Sequence, residues 1–340
     1  MDRASLENPR HLLQIRGTGT DRIRALLARA ASLSDGAMRP VSDALRGRTV
    51  ATLFLEASTR TRTSFQLAAT RLGAEVVDLS GSGLSVSKGE TLADTARTIE
   101  AMGVDAIVVR ASQSGAPHVI ADAVRCGVVN AGDGRHEHPT QGLLDALALA
   151  RATGRTGTFD FTGLTYAVVG DIASSRVARS DVAIMTSLGA RVLLSGPGPM
   201  APRAMEGLAP GVTVERDFDR VVEQADAIQM LRVQFERHGG KGIASTREYR
   251  AGYALTSERA RRMKPGAVVM HPGPMNRGLE IDDPVADGTG EDGGPRSIIL
   301  DQVSCGLPVR MAVIEQAAGG PVGSPVGSPV GGHSGGETRS

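Results

Sequence analysis

At 340 residues the chain is long for a single hydrophobic core, and with 41% hydrophobic residues it can bury a core in each of two domains. Lysine plus arginine (38) nearly cancel aspartate plus glutamate (37), which excludes a global field that would gather nucleic acid or an anionic membrane. Any anion site must be local, and two cysteines, Cys126 and Cys305, each in an apolar neighbourhood, argue against a disulfide framework or a thiolate zinc site and for a reducing compartment.

The N-terminal "MDRASLENPRHLLQ" lacks an apolar stretch flanked by basic residues, and nowhere do ~18 uninterrupted apolar residues occur, so a soluble cytoplasmic protein is expected. The pattern predicts strands at 49–54 ("TVATLF"), 74–79, 105–110 ("DAIVVR") and 127–132 ("GVVNAG"), with helix-length segments between them. After the first strand, "FLEASTRTRTSF" (54–65) sets two arginines among hydroxyl side chains and leads into a helix with apolar Phe65, Ala68, Ala69 and Leu72. "HPTQGLLDALALARATG" reads as a helix begun by Pro139 and ending near Gly154. Further strands are predicted at 165–171, 190–196, 226–231 and 266–273, before a Gly-rich acidic insertion (287–296) expected to be mobile and a last helix. The Gly-Ser-Pro-Val tail from 319 has no period that could bury a face, and disorder is expected there. Strands alternating with helices imply an α/β fold of two domains, each a parallel sheet covered by helices on both faces.

Several turns carry chemistry. A strand-to-helix turn aims free N–H groups and a positive dipole end outward, and Ser58, Thr59, Arg60 and Thr61 would add hydroxyls and a guanidinium fork to an oxyanion cradle; an N-cap followed by surface arginines reads equally well from these residues alone. Arg110 ends a buried strand, where its side chain reaches the carboxyl-end crevice in which open α/β sheets bind ligands. His136, His138 and Gln141 crowd a strand-to-helix junction; the His-x-His pair lacks an acidic or thiol partner at ligand spacing, so hydrogen bonding to a polarised carbonyl is the better role. In the second half, Arg176 stands near a helix start, and Arg232 and Gln234 alternate to one side of a strand end. Two arginines facing an anion cradle suit a substrate with two carboxylates.

"STRTR", "KGET", "VVR", "HPTQ", "GDIASSR", "RVQ" and "HPGP", in this order over residues 58–274, resemble the catalytic chains of the aspartate carbamoyltransferase family. The related ornithine enzymes carry a Cys-bearing "HCLP" where this chain has "HPGP" at 271–274. The resemblance implies carbamoyl transfer from carbamoyl phosphate to L-aspartate, an early step of pyrimidine synthesis, with no metal or organic cofactor. It implies that Ser58, Thr59, Arg60 and Thr61 hold the phosphate and that Thr61, Arg110 and His138 share the carbonyl oxygen. Gln141 and the turn at Pro272, Gly273 and Pro274 would take the carbamoyl N–H groups, and Arg176, Arg232 and Gln234 the aspartate. Lys88 would reach the active site of a neighbouring subunit, making the active unit a homotrimer.

Family members often carry Ser four residues before this lysine; here Leu84 stands there, so Ser85 supplies the hydroxyl contact or the contact is missing. The expected division is residues 1–142 plus 297–318 for carbamoyl phosphate and 143–296 for aspartate. A regulatory chain or a dihydroorotase partner is left open. A dehydrogenase is disfavoured because neither "VVGDIASSR" nor "SGSGLSVS" completes G-x-G-x-x-G, and a catalytically inactive scaffold is disfavoured because the charged motif residues are all present.

Overall fold

The computed structural model describes residues 8–34, 41–80, 89–233, 245–290 and 294–319. In the first half, β1 (Thr49–Phe54), β2 (Glu75–Ser80), β3 (Ala106–Ala111) and β4 (Gly127–Asp133) form a parallel sheet in the order β2-β1-β3-β4. Its helices are α1 (Thr20–Ser32), α2 (Thr59–Arg71), α3 (Leu92–Ala101) and α4 (Ala116–Ala121). The second sheet, order β10-β9-β8-β5-β6-β7, joins β5 (Thr165–Val169), β6 (Arg191–Ser195), β7 (Val212–Val214), β8 (Ala227–Met230), β9 (Val268–Met270) and β10 (Arg296–Ser297), again all parallel. Bridging the halves is α5 (Pro139–Ala152); then follow α6 (Arg176–Ser187), α7 (Phe218–Gln224), α8 (Thr246–Tyr253), α9 (Ser257–Ala260), α10 (Asp283–Ala286) and the long α11 (Ile299–Ala317).

The period of two in each strand divides its side chains between two cores. Val50 and Phe54 of β1 and Tyr166 and Val168 of β5 join one continuous cluster with α1, α2, α5, α6 and α11. Ala51 and Leu53 face α3 and α4 instead, and Ala167 and Val169 face α7, α9 and α10. Both faces of both sheets are therefore covered, which is why their strands read as unbroken apolar runs rather than as alternations. α5 is buried from Pro139 to Ala150, and α11, buried along most of its length, packs against α1, α2 and α5. Each buried Leu, Val or Ile of this shared layer contributes roughly 1.5–3 kcal/mol, so the layer ties the two sheets together.

The order of strands locates the crevices. In the first sheet the connections run outward from β1 to β2 and from β3 to β4, leaving β1 and β3 side by side at the reversal. In the second sheet the reversal lies between β5 and β8. Ligands of open α/β sheets bind at the carboxyl ends of such a pair. Ser58–Thr61 and Arg110 follow or end the first pair; Arg176 and Arg232 follow the second.

Two edge strands, β7 and β10, were not anticipated; at three and two residues they are too short to carry a period. The stretch after Arg232 leads into α8, whose Tyr249 is buried with Met200 and Val233, so this tyrosine is a packing residue. Residues 234–244 of that stretch, 291–293 of the Gly-rich insertion, the Lys88 loop at 81–88 with Leu84 and Ser85, and the tail from 320 lie outside the described residues.

Candidate active site

Ser58 is the N-cap of α2 but forms no side-chain cap bond, and the first turn holds no acidic residue. Elsewhere Thr91, Ser175, Asp217 and Ser245 do cap their helices through the side chain. The Ser58 hydroxyl is thus not spent on its own helix, beside the positive dipole end and the buried Thr61. Arg60 extends from this turn across to the other half of the chain, where its Nη2 donates to the carbonyls of Pro272 (3.2 Å) and Gly273 (2.7 Å). Gly273 adopts φ +63°, and a Cβ there would lie 2.6 Å from Arg60 Nη1, so only glycine lets the guanidinium approach. The carbonyls expected to face the carbamoyl amide are, in this structure, paired with Arg60. Pro274 follows in the same turn through a cis peptide bond.

Arg110 and Arg176 converge from the two sheets on one carboxylate. Glu56 Oε1 accepts from Arg110 Nε at 2.5 Å and from Arg176 Nη2 at 2.7 Å, and Arg110 Nη1 also donates to the carbonyl of Ala131 at 2.8 Å. Gly132 makes room for the pair: a Cβ would sit 2.6 Å from Arg110 Nη1 and 3.2 Å from Arg176 Nε. His138, the N-cap of α5, is buried; its backbone N–H donates to Ser180 Oγ at 2.9 Å, and its Nδ1 has no hydrogen-bond partner. Burial, then the charges of Arg110, Arg176, Arg310 and Arg60, hold the imidazole well below its usual range, so it is neutral at pH 7. A neutral imidazole still carries one N–H and can donate it to an oxygen that gains charge. Gln141, one turn further along α5, is buried and donates through Nε2 to Asp145 Oδ1 at 3.0 Å.

Two members of this cluster were missed from the sequence. Arg310, on α11, is buried over the Phe65 ring at 5.3 Å; burial and the neighbouring Arg60 and Arg110 lower its pKa to about 10, so it stays cationic at neutral pH. Its signal was a single charge in the apolar run 307–314. Glu56 stands beside the anion cradle, and only its two arginine partners distinguish it from an ordinary solvent-facing acid. His136 turns the other way from His138: its Nδ1 lies 3.1 Å from Asp133 Oδ1 and its ring packs edge-on against His118. Among the described residues no group of three or more His, Cys, Asp or Glu side chains could hold a metal ion. A cleft of about 380 Å³ lined by His136, Arg16, Arg135 and Arg179 holds none of the clustered residues Arg60, Arg110, His138 and Arg176. Arg232 is half-buried just beyond β8; Lys88 and Gln234 lie outside the described residues.

Arginines from both sheets and from α11, set around a buried neutral imidazole at two strand-order reversals, define a two-domain α/β enzyme for an anionic substrate. The chain belongs to the aspartate/ornithine carbamoyltransferase family: residues 10–151 match the family described as aspartate/ornithine carbamoyltransferase, carbamoyl-P binding domain, and residues 162–317 match its Asp/Orn binding domain. An aspartate carbamoyltransferase catalytic subunit of Salinispora arenicola is 50% identical over 314 residues, covering 92% of this chain and 98% of that one. One of Myxococcus xanthus is 50% identical over 306 residues, covering 90% and 98%. Among solved structures, Trypanosoma cruzi aspartate transcarbamoylase in complex with carbamoyl phosphate and aspartate superposes with a TM-score of 0.77 at 27% identity, covering 90% and 95%. Ornithine carbamoyltransferase from Pyrococcus furiosus gives 0.81 at 26% identity, covering 92% and 97%. Fold similarity therefore does not separate the two acceptors; the relatives at 50% identity are named aspartate carbamoyltransferase catalytic subunits.

Proposed function

We propose that this chain transfers the carbamoyl group of carbamoyl phosphate to the amine of L-aspartate, giving N-carbamoyl-L-aspartate and phosphate for pyrimidine synthesis. The observation that carries the reading is the set of arginines around neutral His138, in a chain half identical to aspartate carbamoyltransferase catalytic subunits over nearly its whole length. The amine attacks the carbonyl carbon, charge develops on the carbonyl oxygen, and the C–O bond to phosphate breaks. Such a reaction needs positioning and anion stabilisation more than a strong base. Ser58, Thr59, Arg60 and Thr61 hold the phosphate, which requires Arg60 to leave the carbonyls of Pro272 and Gly273 when substrate arrives. Thr61, Arg110 and His138 donate to the carbonyl oxygen. His138 acts as a hydrogen-bond donor, and the departing phosphate takes the proton of the amine.

Gln141 and the freed carbonyls of the 272–273 turn accept the carbamoyl N–H groups. Arg176, Arg232 and Gln234 bind the carboxylates of aspartate. Residues 1–142 with 297–318 form the carbamoyl-phosphate-binding part and 143–296 the aspartate-binding part, with closure bringing them together. Lys88 completes the site of a neighbouring subunit in a homotrimer. Among the described residues no helix is long and apolar enough to cross a membrane, and Cys126 and Cys305 are both free and buried, which supports a cytoplasmic setting.

N-(phosphonacetyl)-L-aspartic acid, bound in a Trypanosoma cruzi aspartate transcarbamoylase structure, joins a phosphonate to an aspartate and tests both halves at once. It should raise the Tm of this protein in a concentration-dependent way and inhibit carbamoyl transfer competitively with carbamoyl phosphate. A folded protein whose Tm it leaves unmoved contradicts the proposal.

A further inference from the structure

Asp145 lies fully buried on α5, one turn beyond Gln141. Its Oδ1 accepts from Gln302 Nε2 at 2.6 Å and from Gln141 Nε2 at 3.0 Å, and its Oδ2 from Gln141 Nε2 and Gln229 Nε2, each at 3.2 Å. Primary amides from α5, β8 and α11 thus meet on a single carboxyl group. Gln302 passes the contact on: its Oε1 accepts the backbone N–H of His271 at 2.8 Å, and His271 leads directly into the Pro272–Gly273 turn. His271 Nδ1 in turn accepts the N–H of Gly273 at 2.8 Å.

A carboxylate has lone pairs and no hydrogen to give, so it selects the nitrogen end of every amide that faces it. With Nε2 of Gln141 committed to Asp145, the amide oxygen of Gln141 is the end left to accept an N–H. Asp181, equally buried on α6, lies close enough to Asp145 for the two charges to repel; Tyr166 Oη donates to its Oδ2 at 3.3 Å, and its Oδ1 has no other hydrogen-bond partner. Two carboxyl groups in contact away from water retain a proton between them. Three amide donors favour the charge on Asp145, which leaves Asp181 as the neutral acid, able to donate to it. Burial raises the pKa of both carboxyls, and the charge of Asp145 then drives Asp181 well above the usual carboxylate range.

We infer that Asp145 is a positioning residue: as a carboxylate it turns the Gln141 amide oxygen toward the carbamoyl NH2 group and, through Gln302 and His271, sets the Pro272 and Gly273 carbonyls around the same group, with Asp181 as its hydrogen-bond donor. This rests on the proposed carbamoyl transfer and adds what selects an NH2 group at that position. The nearest discriminating probe is acetyl phosphate, which has the same phosphate and carbonyl but a methyl group in place of the amide.

The test compares carbamoyl phosphate, acetyl phosphate and inorganic phosphate on the full chain. In Asp145→Asn the side-chain amide can turn Gln141 around, so kcat/KM for carbamoyl phosphate should fall about ten- to a hundredfold. The inhibition constants of acetyl phosphate and phosphate should stay within about twofold. Gln302→Met, which leaves the charge alone but cuts the link to His271, should move the same way and serves if Asp145→Asn does not fold. Asp181→Asn keeps a donor toward Asp145 and should retain carbamoyl phosphate affinity, whereas Asp181→Leu should lose it. Equal losses for all three ligands would make the network merely structural and overturn the inference, as would an Asp145→Asn protein with unchanged kinetics. Wild-type protein that is folded yet does not bind carbamoyl phosphate would instead overturn the function on which the inference stands.

Discussion

His138 has surroundings that settle its protonation. Burial removes the water that would solvate an imidazolium, and arginines on α2, β3, α6 and α11 repel one. The sign follows: the shift is downward, so the neutral form is the resting form from pH 6.5 upward and persists on acidification below it. NMR of the His138 ring carbons should show no protonation step near pH 6.5, and a step there would contradict the assigned role as a neutral donor. The residues that give His138 this environment were only partly legible. Arg60, Arg110 and Arg176 stand at strand and helix ends where a ligand site is possible, but their motifs mark them as site residues only through the resemblance to a known family. Arg310, Glu56 and Asp145 are read from no motif, because their meaning lies in partners more than fifty residues away: Arg110 for Glu56, Phe65 for Arg310, Gln229 and Gln302 for Asp145. A single sequence carries their type but not their neighbours.

At the level of elements, β4 and α11 approach closely at Gly127. A Cβ on Gly127, at the start of β4, would collide with the backbone carbonyl of Ala317 at the end of α11. Neither partner is the tip of a flexible side chain, so α11 would have to shift, and α11 carries both Arg310 and Gln302. Gly127→Ala should therefore lower stability by about 1–3 kcal/mol in urea denaturation. Gly157→Ala, where a Cβ meets nothing within 4 Å, should stay within about 0.5 kcal/mol of the parent. Equal stability of the two variants would show that α11 does not dock as described. The principal strands were legible because burial on both faces makes each a solid apolar run. The assignment of α11 to the first part of the chain was not read from any period, since helix-on-helix contact leaves none that names the partner; it came with the family resemblance.

On the scale of the molecule, the site draws on residues from Glu56 to Arg310 and needs both sheets in place. The shared layer of α5 and α11 supplies the rigid spine, and the two strand-order reversals supply the two walls. Under the proposed trimer, each active site combines Lys88 of one subunit with His138 of its neighbour. Lys88→Ala and His138→Ala proteins, each inactive, should then regain activity when mixed and reassembled, because some interfaces receive both intact residues. Mixtures as inactive as their parents would place Lys88 in its own subunit's site or outside any site.

The central claim is the acceptor, and it is tested by steady-state transfer from carbamoyl phosphate with aspartate or ornithine, following the carbamoyl amino acid formed. The account predicts kcat/KM for aspartate at least about a thousandfold above that for ornithine, since a cationic side chain facing Arg176 and Arg232 leaves buried charges unmatched. Comparable rates with both, or transfer to ornithine alone, would contradict it.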